Sequence, residues 1–587
     1  MTIRRVPDPN NLDDWFPSEE DKPAPRAEAK KGKAGARSAP KDEPALPPSP
    51  ARRLGVVVGG SLSKGLDVKL DRETEIEDLA VGRYVVVRGK QKRFFCMITD
   101  VLLDTTNSAI RADPPDLSDP FLREIYVGTA AFGTIHVAPM LSIDAEVGEP
   151  KPVKTIPGHF TPVEIAEATD VNDVFGQEDA THFNIGTPLE LDNTQVNLDL
   201  RRLVERSSGV FGKSGTGKSF LTRIILSGIL QRDVAVNLIF DMHNDYGWEV
   251  ADERGPKAKG LRQLFPSKVS IFTLDEESSR RRNARYDYVV TLGYDEIEPE
   301  DLAMLKVTMN LSDGMIDAAY TLRKKWGKEW ISKLLDATAD QIDQVVENSN
   351  ISSASLTALA RRLERFERFE FLRKEGAISD SVKTILSYIT EQQRSVVLEF
   401  GRYGSALEAY ILVANYLTRR IHEEYVKRVE QSLGDKHLEP PQLLITIEEA
   451  HKFLDPLIAR QTIFGTIARE LRKYNVTLLI VDQRPSGIDE EVMSQIGTRI
   501  TALLDNERDI TAVLTGISGA GGLREVLARL DTKQQAIVMG HAVPMPVVVK
   551  SRAYDAEFYK SLNGDEHGEE AKPRLNAGGG GKKRLGE

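Results

Sequence analysis

Cysteine is nearly absent. The single Cys96 rules out a disulfide within the chain and makes a cysteine-based zinc site an unlooked-for feature. Long apolar runs are absent too: none approaches the ~20 residues that span a bilayer, and the opening stretch from Met1 to Phe16 has no apolar signal core. Nor does positive charge prevail. Lys and Arg number 78 against 89 Asp and Glu, a net charge of −11, so no globally basic surface advertises nucleic acid. A motor can still hide its basic groups inside a ring channel. What remains is 587 residues of ordinary globular composition, enough for several domains at ~150 residues each and for a sizeable core. A soluble, cytoplasmic protein is expected.

The stretch from Ser207 to Leu230 organises the rest. Gly212, Lys213, Ser214, Gly215, Thr216, Gly217, Lys218 and Ser219 fit G-x-x-x-x-G-K-[ST] at every fixed position. A short apolar run, Gly209–Phe211, predicts a strand before the motif, and Phe220 to Leu230 predicts a helix after it. Glycines let backbone N–H groups wrap phosphates without a Cβ clash. The helix N-terminus adds its positive end. Lys218 is expected to bridge the β- and γ-phosphates of ATP, and the Ser219 hydroxyl to ligate Mg²⁺.

Around this motif the chain divides into tracts. Pro, Ala, Lys and Glu dominate Lys22 to Pro50 and predict a disordered tail over residues 1–50. Within it, Asp13-Asp14-Trp15-Phe16-Pro17 is either a short docking motif or an incidental aromatic. Short β-rich runs at Leu54–Val58, Tyr84–Arg88, Arg93–Val101 and Thr134–Leu141 predict a small barrel over 51–150, with an assembly or docking role. An α/β core is expected over 151–297 and again over 382–555. Between them, 298–381 loses its strands and takes helical spacing, as at Leu302, Leu305 and Met309: a helical insertion. Residues 556–587 end the chain as a flexible tail.

Further polar residues stand at predicted strand ends, the position that faces the ligand crevice in open α/β sheets. Asp241 closes Ala235–Asp241 and either contacts Mg²⁺ or its water shell, or caps a turn. Leu443–Ile447 runs straight into Glu448 and Glu449, a Walker B pattern. Burying two adjacent glutamates is costly without a cation. Glu448 is therefore expected to orient Mg²⁺ and Glu449 to act as general base on the attacking water. His451 has no second histidine at ligand spacing and is read as structural. Gln483, just past the strand Val476–Val481, is placed to sense the γ-phosphate. Arg469 and Arg472 precede that strand on a helix that either delivers an arginine finger to a neighbouring subunit or pairs at the surface.

Taken together these stretches resemble the HerA family, hexameric ring ATPases of the HerA/FtsK branch of P-loop motors. The resemblance rests on His182–Gly186, Phe211–Ser219, Asp241–Tyr246, Ile447–His451, Ala468–Asn475 and Asp482–Ser486, and covers roughly residues 52–552. It implies a RecA-like core, a homohexamer, ATP with Mg²⁺, and translocation on double-stranded DNA. It also implies a partner, a nuclease of the NurA type in DNA end processing or another effector in a phage-defence complex. By position, Arg472 becomes the trans-acting arginine, Gln483 the sensor, and Arg206 a further residue reaching the nucleotide. Two departures stand out. Asn244-Asp245-Tyr246 replaces the family's common Gly-Glu-Tyr, and Glu470-Leu471-Arg472-Lys473 replaces Glu-Gly-Arg-Lys.

The leading expectation is thus an ATP-driven DNA translocase or helicase. Lys257-Ala258-Lys259 and Arg280 to Arg285 are its candidate DNA-contacting loops. A ring that is gated by nucleotide and mainly activates an effector is the alternative. A conjugation-type coupling ATPase is disfavoured because no membrane anchor is found in the sequence.

Overall fold

A computed structural model describes residues 53–563 apart from 145–147, 251–256, 348, 350, 375, 377–379, 461, 471–472 and 518–519. The expected N-terminal tail with its Trp15-Phe16 patch, the last 24 residues and Arg472 lie outside the described residues.

The barrel is closed. Strands β1 (Arg53–Ser61), β2 (Gly65–Leu70), β3 (Tyr84–Arg88), β4 (Lys92–Thr105), β5 (Ala131–Asp144) and β6 (Pro162–Ile165) pair antiparallel in the ring order β2-β1-β6-β3-β4-β5, and β5 returns to β2. The period of two explains why β3 is apolar on both faces. Val85 and Val87 point into the barrel with Phe94, Cys96 and Ile98. Tyr84 and Val86 point out with Phe95 and Met97 into the core of the larger domain. The Tyr84 hydroxyl donates to Pro546 O at 2.8 Å, which fixes that contact. The closing strand β6 comes from beyond residue 150, where the sequence reading had ended the barrel. Its four residues are too short a run to stand out.

The larger domain is a twelve-stranded sheet flanked by helices. Its labelled strands are β7 (His182–Pro188), β8 (Val196–Asp199), β9 (Ser208–Phe211), β10 (Val236–Asp241), β11 (Val269–Thr273), β12 (Ser395–Glu399), β13 (Leu443–Glu448), β14 (Val476–Asp482), β15 (Thr498–Ala502), β16 (Gln535–Gly540) and β17 (Val547–Ser551). After a short edge strand, Tyr288–Val289, they lie in the order β11-β12-β10-β13-β14-β9-β15-β16-β17-β7-β8. Pairing is parallel from that edge through β15 and antiparallel beyond. The parallel strands are buried on both faces, so they read as continuous apolar runs rather than alternating ones.

Two helices matter for the site. α1 (Lys218–Arg232) is buried from Leu221 to Leu230, and α2 (Leu407–Ser432) is buried along its first half. The helical insertion is present as short helices, among them Asp313–Trp326 and Ser353–Leu363, capped by Ser312 and Ser352. It is tied to α2 by a buried ion pair between Asp301 and Arg419 at 2.7 Å. Among the described residues, no helix is long and apolar enough to cross a membrane.

Candidate functional site

Parallel pairing brings the C-terminal ends of β9, β10, β12, β13 and β14 to one edge of the sheet. Register then sets the acids beside each other: Asp241 pairs with Glu399, Phe211 with Asp482, and Glu448 with Val481. Over this edge lies a cleft of about 350 Å³, lined by the P-loop, Arg223, His243, Asp245, Glu448, Glu449, Asp482 and Gln483.

The loop that follows β9 is shaped for phosphate. Gly215 and Gly217 have φ of 78° and 88°, and a Cβ on either would project into open space. That is the room a phosphate needs beside turned-in N–H groups. Gly217 then hands the chain to α1, whose first residue is Lys218. The Lys218 ammonium donates to Lys213 O at 2.9 Å and Thr216 Oγ donates to the same carbonyl at 2.7 Å. Burial pulls Lys218 below the usual lysine range, opposed by Glu449, Asp482 and Glu448. A phosphate would restore the opposite charge.

Glu448 and Glu449 have different surroundings. Glu448 is buried. Its Oε1 accepts a hydrogen bond from the Tyr246 hydroxyl at 2.8 Å, while Oε2 is buried without a partner. Burial, then the charge of Asp241, pushes its carboxyl up to about 8. An unpartnered carboxylate oxygen on a residue that lines the same cleft as Ser219 fits a hard divalent cation such as Mg²⁺. Glu449 has turned into the cleft, its backbone in the left-handed region at φ 49°. Such a conformation costs a non-glycine residue about 1–3 kcal/mol and concentrates at functional sites. Gln483 Nε2 donates to Glu449 Oε1 at 3.1 Å. Asp482, fully buried, takes His451 N at 2.7 Å and Arg484 N at 2.6 Å, and His451 Nδ1 lies 3.0 Å from it. His451 is therefore held as structure, as expected.

Three other sequence readings land elsewhere. Asp241 does not line the cleft. Both its oxygens are used within the turn, accepting from Asp245 N at 2.7 Å, Tyr246 N at 2.8 Å and Gly247 N at 3.2 Å. The turn-capping alternative describes its contacts, and it acts on the site by holding Tyr246 against Glu448. Arg206 precedes β9 and so sits at the far end of that strand from the P-loop, its side chain packed on Gly497. Nearness in sequence had suggested contact, but a strand's length separates the two. The basic stretches are largely paired. Lys257 binds Glu249, Ala258 lines the nucleotide cleft, Arg280 and Arg281 pair one turn back with Glu276 and Glu277, and Arg282 pairs with buried Glu399.

A family model described as "Helicase HerA, central domain" matches residues 183–421, and one described as "HAS barrel domain" matches residues 54–156. Over these two regions the chain is similar to the HerA family. Similar curated proteins include the "DNA double-strand break repair helicase HerA" of Pyrococcus furiosus, 26% identical over 65% of this chain and 70% of that protein. The protein of the same name from Sulfurisphaera tokodaii is 24% identical over 86% of this chain and 94% of its own length. Among solved structures, VirB4 of Thermoanaerobacter pseudethanolicus superposes with a TM-score of 0.43 at 13% identity, over 65% of this chain and 99% of that one.

Within the HerA frame, the first departure is explained. Asn244 stands where the family commonly has Gly, and its φ is 60°. Asn tolerates that region better than other side chains, and its Oδ1 also accepts Gly401 N at 2.9 Å. Tyr246, the residue the two versions share, was missed as a site residue. So were Arg223, stacked on Phe220 and Tyr554, and Tyr410, whose hydroxyl meets the Glu448 backbone. All three act through partners distant in sequence. Tyr246→Phe removes the one hydrogen bond that, among the described residues, aims the Glu448 carboxylate. The Mg²⁺ concentration for half-maximal hydrolysis is expected to rise about tenfold or more, as for other residues that orient a metal ligand, with the unfolding midpoint measured alongside.

Proposed function

We propose that this chain is an ATP- and Mg²⁺-dependent motor on double-stranded DNA, working as a homohexameric ring in DNA end processing with a partner nuclease of the NurA type. One observation carries the hydrolytic part: Lys218, Ser219, Glu448 and the Glu449–Gln483 pair all line a single cleft beside the P-loop. The loop N–H groups and the N-terminus of α1 receive the phosphates. Lys218 leaves Lys213 O to bridge the β- and γ-phosphates. Ser219 and Glu448 would hold Mg²⁺, which supplies positive charge against the developing charge of the transferring phosphoryl group. Glu449 accepts the proton of the attacking water, and the Gln483 amide holds both Glu449 and the γ-phosphate in line.

Support for a ring comes from what the cleft lacks. Among the described residues that line it, Arg223 is the only arginine, and its guanidinium is held by Asp245 O and against the faces of Phe220 and Tyr554. An arginine finger at the γ-phosphate would then come from a neighbouring copy, the role we give to Arg472. DNA as substrate follows from the relatives, whose names state double-strand break repair.

The test is steady-state ATP hydrolysis by the purified protein with and without linear duplex DNA. Stimulation of about tenfold or more is expected, because moving along a phosphate backbone couples to each turnover. It should weaken steeply as salt rises. Slow hydrolysis that ignores DNA would instead favour a nucleotide-gated ring that activates an effector.

A further inference from the structure

Glu399 ends β12 as a wholly buried carboxylate that does not line the nucleotide cleft. Its Oε2 forms an ion pair with Arg282, and its Oε1 is buried without a hydrogen-bond partner among the described residues. Arg282 reaches it from the surface. Its side chain is 31% exposed, and it belongs to the basic stretch from Arg280 to Arg285.

Two contacts tie this pair to the metal carboxylate. A Cβ on Gly247 would stand 2.6 Å from Glu399 Oε1, so the backbone of the turn after β10 lies directly against the bare oxygen. That turn is closed by the Asp241 carboxylate and carries Tyr246, whose hydroxyl aims Glu448. Register also sets Asp241 beside Glu399. A displacement at Glu399 thus has one hydrogen-bonded turn to cross before it reaches Glu448.

The neighbouring arginines are held differently. Arg280 and Arg281 pair one turn back with Glu276 and Glu277, and all four side chains are exposed. Such surface pairs contribute little. Arg285 is exposed and has no ionic partner among the described residues. These three can meet a phosphate backbone at small cost. Arg282 can do so only by leaving a buried carboxylate, and a buried charge stripped of its partner is strongly unfavourable where it stands.

We propose that the Arg282–Glu399 pair couples DNA contact to hydrolysis. A backbone phosphate held by the Arg280–Arg285 segment draws Arg282 off Glu399. The stranded carboxylate then shifts the Gly247 turn, and with it Tyr246 and Glu448. Arg282 and Glu399 are positioning residues, since neither lines the nucleotide cleft. This coupling rests on the DNA-motor reading above and names the part of the chain through which duplex acts.

ATP hydrolysis and duplex affinity are measured on the full chain, across a salt series, for the wild type, Glu399→Gln and Arg282→Gln. Glu399→Gln keeps the shape and removes the charge that phosphate would strand. It is expected to bind duplex at least as tightly as the wild type and to hydrolyse ATP without DNA within about threefold of it, while DNA stimulation falls from about tenfold to about twofold or less. Arg282→Gln strands Glu399 permanently. Its DNA-free hydrolysis should rise about threefold or more toward the stimulated rate. The slope of its log Kd on log salt should flatten by about one, the loss of one phosphate contact. A pair that only held the fold together would not raise a rate. Full DNA stimulation in Glu399→Gln overturns the coupling, and so does an unaltered salt slope in Arg282→Gln. If Arg282→Gln lowers the unfolding midpoint, the double variant Arg282→Gln/Glu399→Gln removes the buried charge. A restored midpoint with the hydrolysis of Glu399→Gln supports the coupling, and wild-type stimulation in the double variant overturns it. A wild-type protein whose hydrolysis ignores duplex overturns the motor reading itself, and the coupling with it.

Discussion

Glu449→Gln is expected to reduce steady-state ATP hydrolysis by about 10²–10⁴-fold, the usual cost of losing a general base, with nucleotide affinity nearly unchanged. The substitution keeps shape and removes only the ability to take a proton. The groups that bind phosphate are elsewhere: the glycine loop, Lys218 and the first turn of α1. Gln483 keeps an oxygen to donate to, because the new amide can still accept at the position of Glu449 Oε1. The backbone at 449 already holds its left-handed geometry, and glutamine tolerates that region about as well as glutamate. The variant should therefore fold, bind ATP and stall with it. Retention of more than a tenth of wild-type turnover would show that another group accepts the proton. The other carboxylates that line the cleft are Asp245, Glu448 and Asp482, and such a result would pass the role to one of them and remove Glu449 as the general base.

Legibility in the sequence followed locality. The P-loop, its strand and its helix lie within one contiguous stretch, and the structure places them as read, from β9 through α1. Glu448 and Glu449 were legible because charge at the end of an apolar strand is costly and so conspicuous. The helical insertion showed itself by the loss of strand pattern and the onset of helical spacing. Other features escaped because their causes are non-local. Strand β6 is recognisable only through its partners β1 and β3. Tyr246 reads as an ordinary aromatic after a turn until β10 and β13 are seen side by side, which brings its hydroxyl to Glu448. Arg206 failed in the opposite sense: it is near the P-loop in sequence, but an extended strand carries the chain away from it at about 3.3 Å per residue. Asp241 was read with both of its possible roles. Only the hydrogen bonds from residues 245–247 decide which set of contacts its carboxylate makes.

The same non-local packing sets the second large effect, on the metal. Glu448 lies among Asp241, Tyr246 and Tyr410, and burial followed by the Asp241 charge lifts its carboxyl from the ordinary 4.5 to about 8. Below that pH the metal-free site keeps a proton on Glu448. A divalent cation has to displace it, so proton and metal compete. The Mg²⁺ concentration for half-maximal hydrolysis should rise by up to about tenfold for each pH unit below 8 and level off above it, the slope of a single displaced proton. Glu448→Gln has no such proton: its Mg²⁺ requirement should be higher, by about 10–100-fold, and flat with pH. The titration of the nucleotide's own phosphate is common to both proteins and cancels between them. Stability follows the same sign. Because the folded value lies above the unfolded one, this carboxyl stabilises the metal-free chain at low pH, and that contribution is lost as pH rises through about 8. Added Mg²⁺ should therefore raise the unfolding midpoint more at pH 8.5 than at pH 6.5, and Glu448→Gln should erase the difference. An equal shift at both pH values in the wild-type chain would mean that the cation is not held by Glu448.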